Sequence, residues 1–161
     1  ATDLRDDKAV FGNVLHGLLF GSPVAVMLNT ENMRPPKRIF VAWDTSLPAA
    51  RAVQQALPML KDADEVTIAT FDPVMMQNQD GENPGSDVAR WLSHHGGDVT
   101  VQQYPSGGME TGKAILARSV EVGADLVVAG GYSRSKLLQV FFGGTSQLLI
   151  DQPDMPVLLA H

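Results

Sequence analysis

The chain has 161 residues, 44% apolar and 19% charged, long enough to bury one sizeable core and too apolar to stay unfolded. Eighteen acidic side chains against twelve basic ones leave a formal charge of -6, which argues against a broad electrostatic grip on nucleic acid. The absence of cysteine excludes disulfide scaffolds, thiolate metal sites and a cysteine nucleophile, and fits a reducing compartment.

Residues 1–8 are acidic and mixed rather than basic and then apolar, so no secretory signal is visible. The apolar stretch 11–28 carries Asn13, His16, three glycines and Pro23, a composition unlike that of a membrane span. A cytoplasmic protein with no membrane partner is expected. Phe11-Gly12-Asn13-Val14 matches Phe142-Gly143-Gly144-Thr145 at an offset of 131, which carries Leu18-Leu19 onto Leu149-Ile150. With two residues added in the turn, Pro23-Val24-Ala25-Val26 falls on Pro156-Val157-Leu158-Leu159. The repeat predicts a helix over 13–20, a strand from Val24 to Leu28, and a linker over 30–36 that Pro35-Pro36 holds extended. Residues 1–36 are therefore expected to be the end of a preceding repeat, and 37–161 a complete domain.

From Lys37 onward strands and helices alternate. The apolar run 39–43 is a buried strand closed by Asp44-Thr45-Ser46, a helix N-cap signal. Ala49, Ala52, Val53, Ala56, Leu57 and Leu60 then follow helical spacing, with Pro58 expected to kink or shorten the last turn. A second strand over 66–71 ends at Asp72-Pro73, and a polar loop spans 77–85. Ser86 is expected to cap a helix with Val88, Trp91, Leu92 and His95 on one stripe, stopped by Gly96-Gly97. A third strand spans 99–104, and a helix runs from about Thr111 to Gly123. Leu126-Val127-Val128-Ala129 has the pattern of a central strand covered on both faces. A last helix over 144–150 and a strand from Met155-Pro156-Val157-Leu158-Leu159 complete a doubly wound α/β domain with a five-stranded parallel sheet, plus the N-terminal helix and strand.

Four phrases in this order carry a family resemblance. They are Val41-Ala42-Trp43-Asp44-Thr45-Ser46, the run from Gly123 to Gly130, the pair Gly143-Gly144, and Met155-Pro156-Val157-Leu158-Leu159. Over 37–161 the chain resembles the universal stress protein family, and the partial repeat before it resembles the tandem members of that family. The resemblance implies a flavodoxin-like, adenine-nucleotide-hydrolase-like sheet. It also implies self-association, or pairing with a preceding repeat, through Val24 to Leu28 and Val157 to Ala160, side by side and antiparallel.

The same resemblance implies a phosphate loop after the central strand, where glycines admit backbone N–H groups to phosphate and a helix N-terminus adds its dipole. Gly130 matches the first glycine of that pattern, Ser133 stands at the second, and Gly143 keeps the nine-residue spacing. Gly144 replaces the hydroxyl residue that opens the helix. Two readings compete: Ser133, Arg134 and Thr145 or Ser146 supply the phosphate contacts, or the Cβ of Ser133 closes the loop to phosphate. Asp44, at the end of its strand and beside the switch point of the sheet, is implied as acceptor for ribose or adenine, and the backbone near Phe71 as a lining for the base.

Gly107 through Ala114 fits the P-loop pattern except at its last position, where Ala114 cannot hold magnesium. A loop leading to a helix is the better reading. His94-His95 lie at a helix end, His16 and His161 are isolated, and the spacing offers no metal site. Ser106 and Ser133 lack a visible base for nucleophilic catalysis. The first expectation is a regulatory stress-response module that takes ATP or AMP without turnover. The second is a nucleotide-free dimerisation half of a tandem protein, and the third a weak nucleotide hydrolase.

Overall fold

A computed structural model of the chain describes residues 4–31, 33–72, 84–96, 98–131, 144–152 and 154–161. In chain order the elements are α1 (Leu4–Gly21), β1 (Val26–Leu28), β2 (Arg38–Ala42), α2 (Leu47–Asp62), β3 (Glu65–Phe71) and α3 (Ser86–Ser93). They continue as β4 (Asp98–Tyr104), α4 (Thr111–Glu121), β5 (Leu126–Gly130), α5 (Gly144–Asp151) and β6 (Val157–Ala160). The strands form one sheet in the order β1-β6-β5-β2-β3-β4. Strands β2 to β6 are parallel, as expected, and β1 brings the sheet to six by joining its edge antiparallel to β6. Val26, Met27 and Leu28 lie opposite Leu159, Leu158 and Val157.

Period-two alternation sorts the strand side chains onto two faces. Ile39, Val41, Ile68 and Val128 meet Ala52, Val53, Ala56 and Leu60 of α2 and Leu92 of α3. Phe40, Val127, Ala129 and Leu159 meet Leu15 and Leu19 of α1, Ile115 of α4 and Leu149 of α5. Three layers result, and a core side chain such as Phe40, fully buried, contributes roughly 1.5–3 kcal/mol by leaving water. At the amino ends of the strands, the Asp125 carboxylate accepts the backbone N–H groups of Lys37 and Arg38 at 2.9–3.1 Å and ties β2 to β5.

Several expected boundaries move, each for a local reason. Helix α1 begins at Leu4 rather than Asn13, extending through a charged turn that has no apolar period to announce it. Strand β1 starts at Val26 rather than Val24, because the Gln55 side chain of α2 takes the preceding backbone: Ala25 N–H donates to its Oε1, and its Nε2 donates to Pro23 C=O. Helix α2 continues past Pro58 to Asp62, its last turn anchored by buried Leu60. Helix α3 is capped by Gly85, not Ser86, and Gly85 adopts φ 94°, where a Cβ would stand 3.1 Å from Ile68 and close to Val101 and Trp43. Of the predicted α3 stripe only Leu92 is fully buried; Trp91 stays exposed, edge-on to His95 at 4.7 Å. The predicted 77–85 loop lies mostly outside the described residues.

Candidate functional site

The strand order reverses direction around β2, which has β5 on one side and β3 on the other. The carboxyl ends of these strands therefore border the crevice where open α/β sheets bind ligands. Asp44 follows β2 at this end. Its exposed carboxylate accepts the Ser46 N–H at 3.0 Å, while Ser46 Oγ accepts the Ala49 N–H at 3.2 Å and caps α2. Thr45 between them has φ 61°. The turn thus fixes one Asp44 oxygen and leaves the carboxylate at the surface, without an ion-pair partner among the described residues.

Gly130 ends β5 beside it, but its missing side chain serves packing. A Cβ there would lie 2.5 Å from Ala49 N and 2.8 Å from Pro48 C, so the glycine lets the first turn of α2 rest on the sheet. Gly131 continues the sheet, donating to Ala160 C=O at 2.7 Å. Gly144 opens α5 and Thr145 follows half-buried, with its Cα and carbonyl oxygen each 3.0 Å from where a Cβ on Gly112 would be. Ser133, Arg134 and Gly143 lie outside the described residues.

Phe71 ends β3, half-buried, stacked on Tyr104 with ring centroids 5.6 Å apart and also against Phe40 at 6.5 Å. Its ring belongs to the core facing α4 and α5. The sequence reading missed Thr70, the residue before it, whose buried Oγ1 finds no hydrogen-bond partner among the described residues. A threonine at the position after Val66 and Ile68 on the same face of the strand was the available signal. An unmet buried hydroxyl costs roughly 1–3 kcal/mol, which a polar ligand atom would offset.

The P-loop-like segment is built differently from a phosphate cradle. It follows β4, the edge strand, and Ser106 N–H donates to Asp72 Oδ1 at 3.0 Å. That contact, with a side-chain hydrogen bond from Ser106 as the larger cause, holds the Asp72 carboxyl below the usual carboxylate range. Gly112 is buried against α5, and Lys113 meets Glu110 across an exposed 3.9 Å pair. No group of three or more potential metal ligands occurs among the described residues, and none of their helices is long and apolar enough to cross a membrane. At the opposite end of the sheet a cleft of about 730 Å³ is lined by residues including Phe11, Met27, Asn29, Arg34, Asp125 and Met155.

The model of the universal stress protein family matches residues 35–161. This chain belongs to the universal stress protein family. No curated protein matches it significantly in sequence. Among solved structures it is similar to a universal stress protein from Archaeoglobus fulgidus, at 22% identity and TM-score 0.59, covering 78% of this chain and 98% of that one. A universal stress protein from Archaeoglobus fulgidus DSM 4304 matches at 23% identity and TM-score 0.63, over 93% of this chain and 56% of the other. A universal stress protein solved in complex with cAMP matches at 19% identity and TM-score 0.57, over 80% and 99%. These likenesses establish the shared fold of the family domain.

Proposed function

We propose that this universal stress protein domain is a regulatory module that binds an adenine nucleotide at the carboxyl ends of β2 and β5 and does not turn it over. The observation that carries this reading is Asp44: an exposed carboxylate, held by the Ser46 N–H at 3.0 Å, at the reversal point of the sheet. In that position it accepts ribose hydroxyls, and charge assistance makes such hydrogen bonds stronger than neutral ones. The buried hydroxyl of Thr70 on the neighbouring strand, which has no hydrogen-bond partner among the described residues, adds a second polar group at the same end. Phosphates approach the N-terminus of α5, where Gly144 and Thr145 stand and the helix dipole favours anions. Support of a coarser kind comes from the similar universal stress protein solved with cAMP. Arg134, Ser133 and Gly143 complete the phosphate side in this proposal.

A nucleotide-free dimerisation module is the second reading, and Gly130 favours it: close packing against α2 accounts for that glycine without any phosphate. Isothermal titration of the chain with ATP, AMP and cAMP separates the two. Binding predicts a saturable 1:1 heat for at least one of them and its loss in Asp44→Ala. Absence of heat from all three, or equal affinity in the variant, sinks the nucleotide reading. Phosphate release from ATP above the level of an Asp44→Ala control would instead make the protein a hydrolase.

A further inference from the structure

The cleft at the amino ends of β5 and β6 lies far from Asp44, and hydrogen bonds hold its walls in place. Asn29 donates from Nδ2 to the carbonyls of Gln152 at 2.7 Å and Met155 at 3.2 Å, which pins the chain leaving β1 to the turn before β6. Gln152 stitches that turn from within: its Oε1 accepts the Asp154 and Met155 N–H groups at 3.0 and 2.8 Å, and its Nε2 donates to Met155 C=O at 2.8 Å. Past Asn29 the chain folds into a turn, with Met33 N–H donating to Thr30 C=O at 3.1 Å. Walls held in this way cost a ligand little ordering. The volume of about 730 Å³ falls in the range of small-molecule sites, roughly 300–1,000 Å³.

The lining has an apolar part and a charged part. Met27, Met33 and Met155 supply a polarizable wall, and methionine adapts to varied apolar shapes. Phe11 stands in the i, i+4 row of Leu15 and Leu19; those two are buried on the sheet, whereas Phe11, one turn earlier, is 53% exposed and lines the cleft. The face of such a ring attracts cations. Among the charged lining residues Glu31, Asp125 and Asp154 are acidic and Arg34 is basic. Asp125 is taken up by the backbone of Lys37 and Arg38, but Glu31 and Asp154 have no ion-pair partner among the described residues. The negative excess, in a chain of formal charge -6, repels phosphates and carboxylates and draws in ammonium or guanidinium groups.

We propose that this cleft is a binding site for an organic cation, an amine or guanidine carried on an aromatic or alkyl body. The body lies against Met27, Met33 and Met155, and the charge stays at the rim, in the field of Glu31 and Asp154 and near the ring of Phe11. A polyamine would leave the methionines unused, and a neutral apolar compound would leave the carboxylates unused. The site stands at the other end of the sheet from the nucleotide crevice and does not depend on it.

The test titrates the 161-residue chain with three compounds that share one ring system, followed by amide NMR: tryptamine, a cation; indole-3-acetate, an anion; and indole-3-acetamide, uncharged. Tryptamine is expected to saturate with a dissociation constant of about 1 mM, shifting the amides of Met27 to Thr30, Met33, Ala124, Asp125 and Met155. Indole-3-acetate is expected to bind at least ~10-fold more weakly, with the acetamide between them. Glu31→Gln combined with Asp154→Asn, both at exposed positions, weakens tryptamine by about 5-fold and leaves the acetamide unchanged. Phe11→Leu, which keeps the apolar contact and removes the ring, weakens tryptamine by about 3-fold. Asp44→Ala leaves tryptamine binding intact, which separates this site from the nucleotide reading. The proposal is overturned by indole-3-acetate binding as tightly as tryptamine, by tryptamine shifts confined to the Asp44 and Gly130 end of the sheet, or by no saturable shift at about 10 mM. Spermine binding at these amides more tightly than tryptamine overturns it as well, reducing the cleft to a patch of surface charge.

Discussion

Replacing Gly130 by alanine asks whether this glycine serves the sheet or a ligand. Its backbone φ is not in the left-handed region, so the change adds a methyl group without straining the chain. The new Cβ would stand 2.5 Å from Ala49 N, 2.8 Å from Pro48 C and 2.9 Å from Ala49 Cα. All three are backbone atoms in the first turn of a 16-residue helix, so no side-chain rotation relieves the clash. Overpacking of a core costs about 1–3 kcal/mol, and with only backbone to yield the cost falls near the top, about 3 kcal/mol. At a urea m-value of about 2 kcal/mol/M the midpoint drops by about 1.5 M without nucleotide present. Gly131→Ala is the control: among the described residues its Cβ meets only Ala160 O, at 3.5 Å, an ordinary contact, and the midpoint stays within about 0.3 M. Equal midpoints for wild type and Gly130→Ala in nucleotide-free urea unfolding would refute the packing argument.

Removing the α2 cap with Ser46→Ala is expected to lower stability by about 1 kcal/mol in thermal denaturation, and an unchanged melt contradicts the Ser46–Ala49 bond. Asn29 holds φ 58° and donates to the carbonyls of Gln152 and Met155 at 2.7 and 3.2 Å. Asn29→Ala should therefore cost about 2–4 kcal/mol and Asn29→Gly about half as much, the difference being left-handed strain; the reverse order rejects that partition. Because the Asp72 carboxyl is held below its ordinary range by Ser106, its contribution is present above that range and is lost as pH falls through the lowered folded value. Urea unfolding of wild type and Asp72→Asn should differ at about pH 6 and converge toward about pH 2, and a gap that widens on acidification reverses the assignment.

The domain core was legible because its strands are short apolar runs bounded by turn residues, and because Ala49 to Leu60 keeps helical spacing through buried positions. Asp44-Thr45-Ser46, closing the first strand of the domain, carried the cap signal that Ser46 fulfils. The first half of α1 was not legible, since Arg5-Asp6-Asp7-Lys8 carries no apolar stripe. Gly85 was read as loop because a left-handed cap wedged against Ile68 and Val101 depends on neighbours far away in sequence. At the site, Asp44 could be placed from its position after an apolar strand. The role of Gly130 could not, because a sequence shows that a side chain is missing and not what occupies its place. Thr70 was passed over inside the strand over 66–71, and only its burial with no hydrogen-bond partner among the described residues singles it out.

Backbone amide shifts of the isotopically labelled chain, followed by NMR during titration with AMP, show where on the sheet the nucleotide binds. Nucleotide binding at this end of the sheet perturbs Asp44 to Ser46, Thr70 and Phe71, Gly130 and Gly131, and the first turn of α5, and all of these shifts are lost in Asp44→Ala. Shifts confined to the cleft of Met27, Asn29 and Met155 at the other end of the sheet, or none at millimolar AMP, would contradict it.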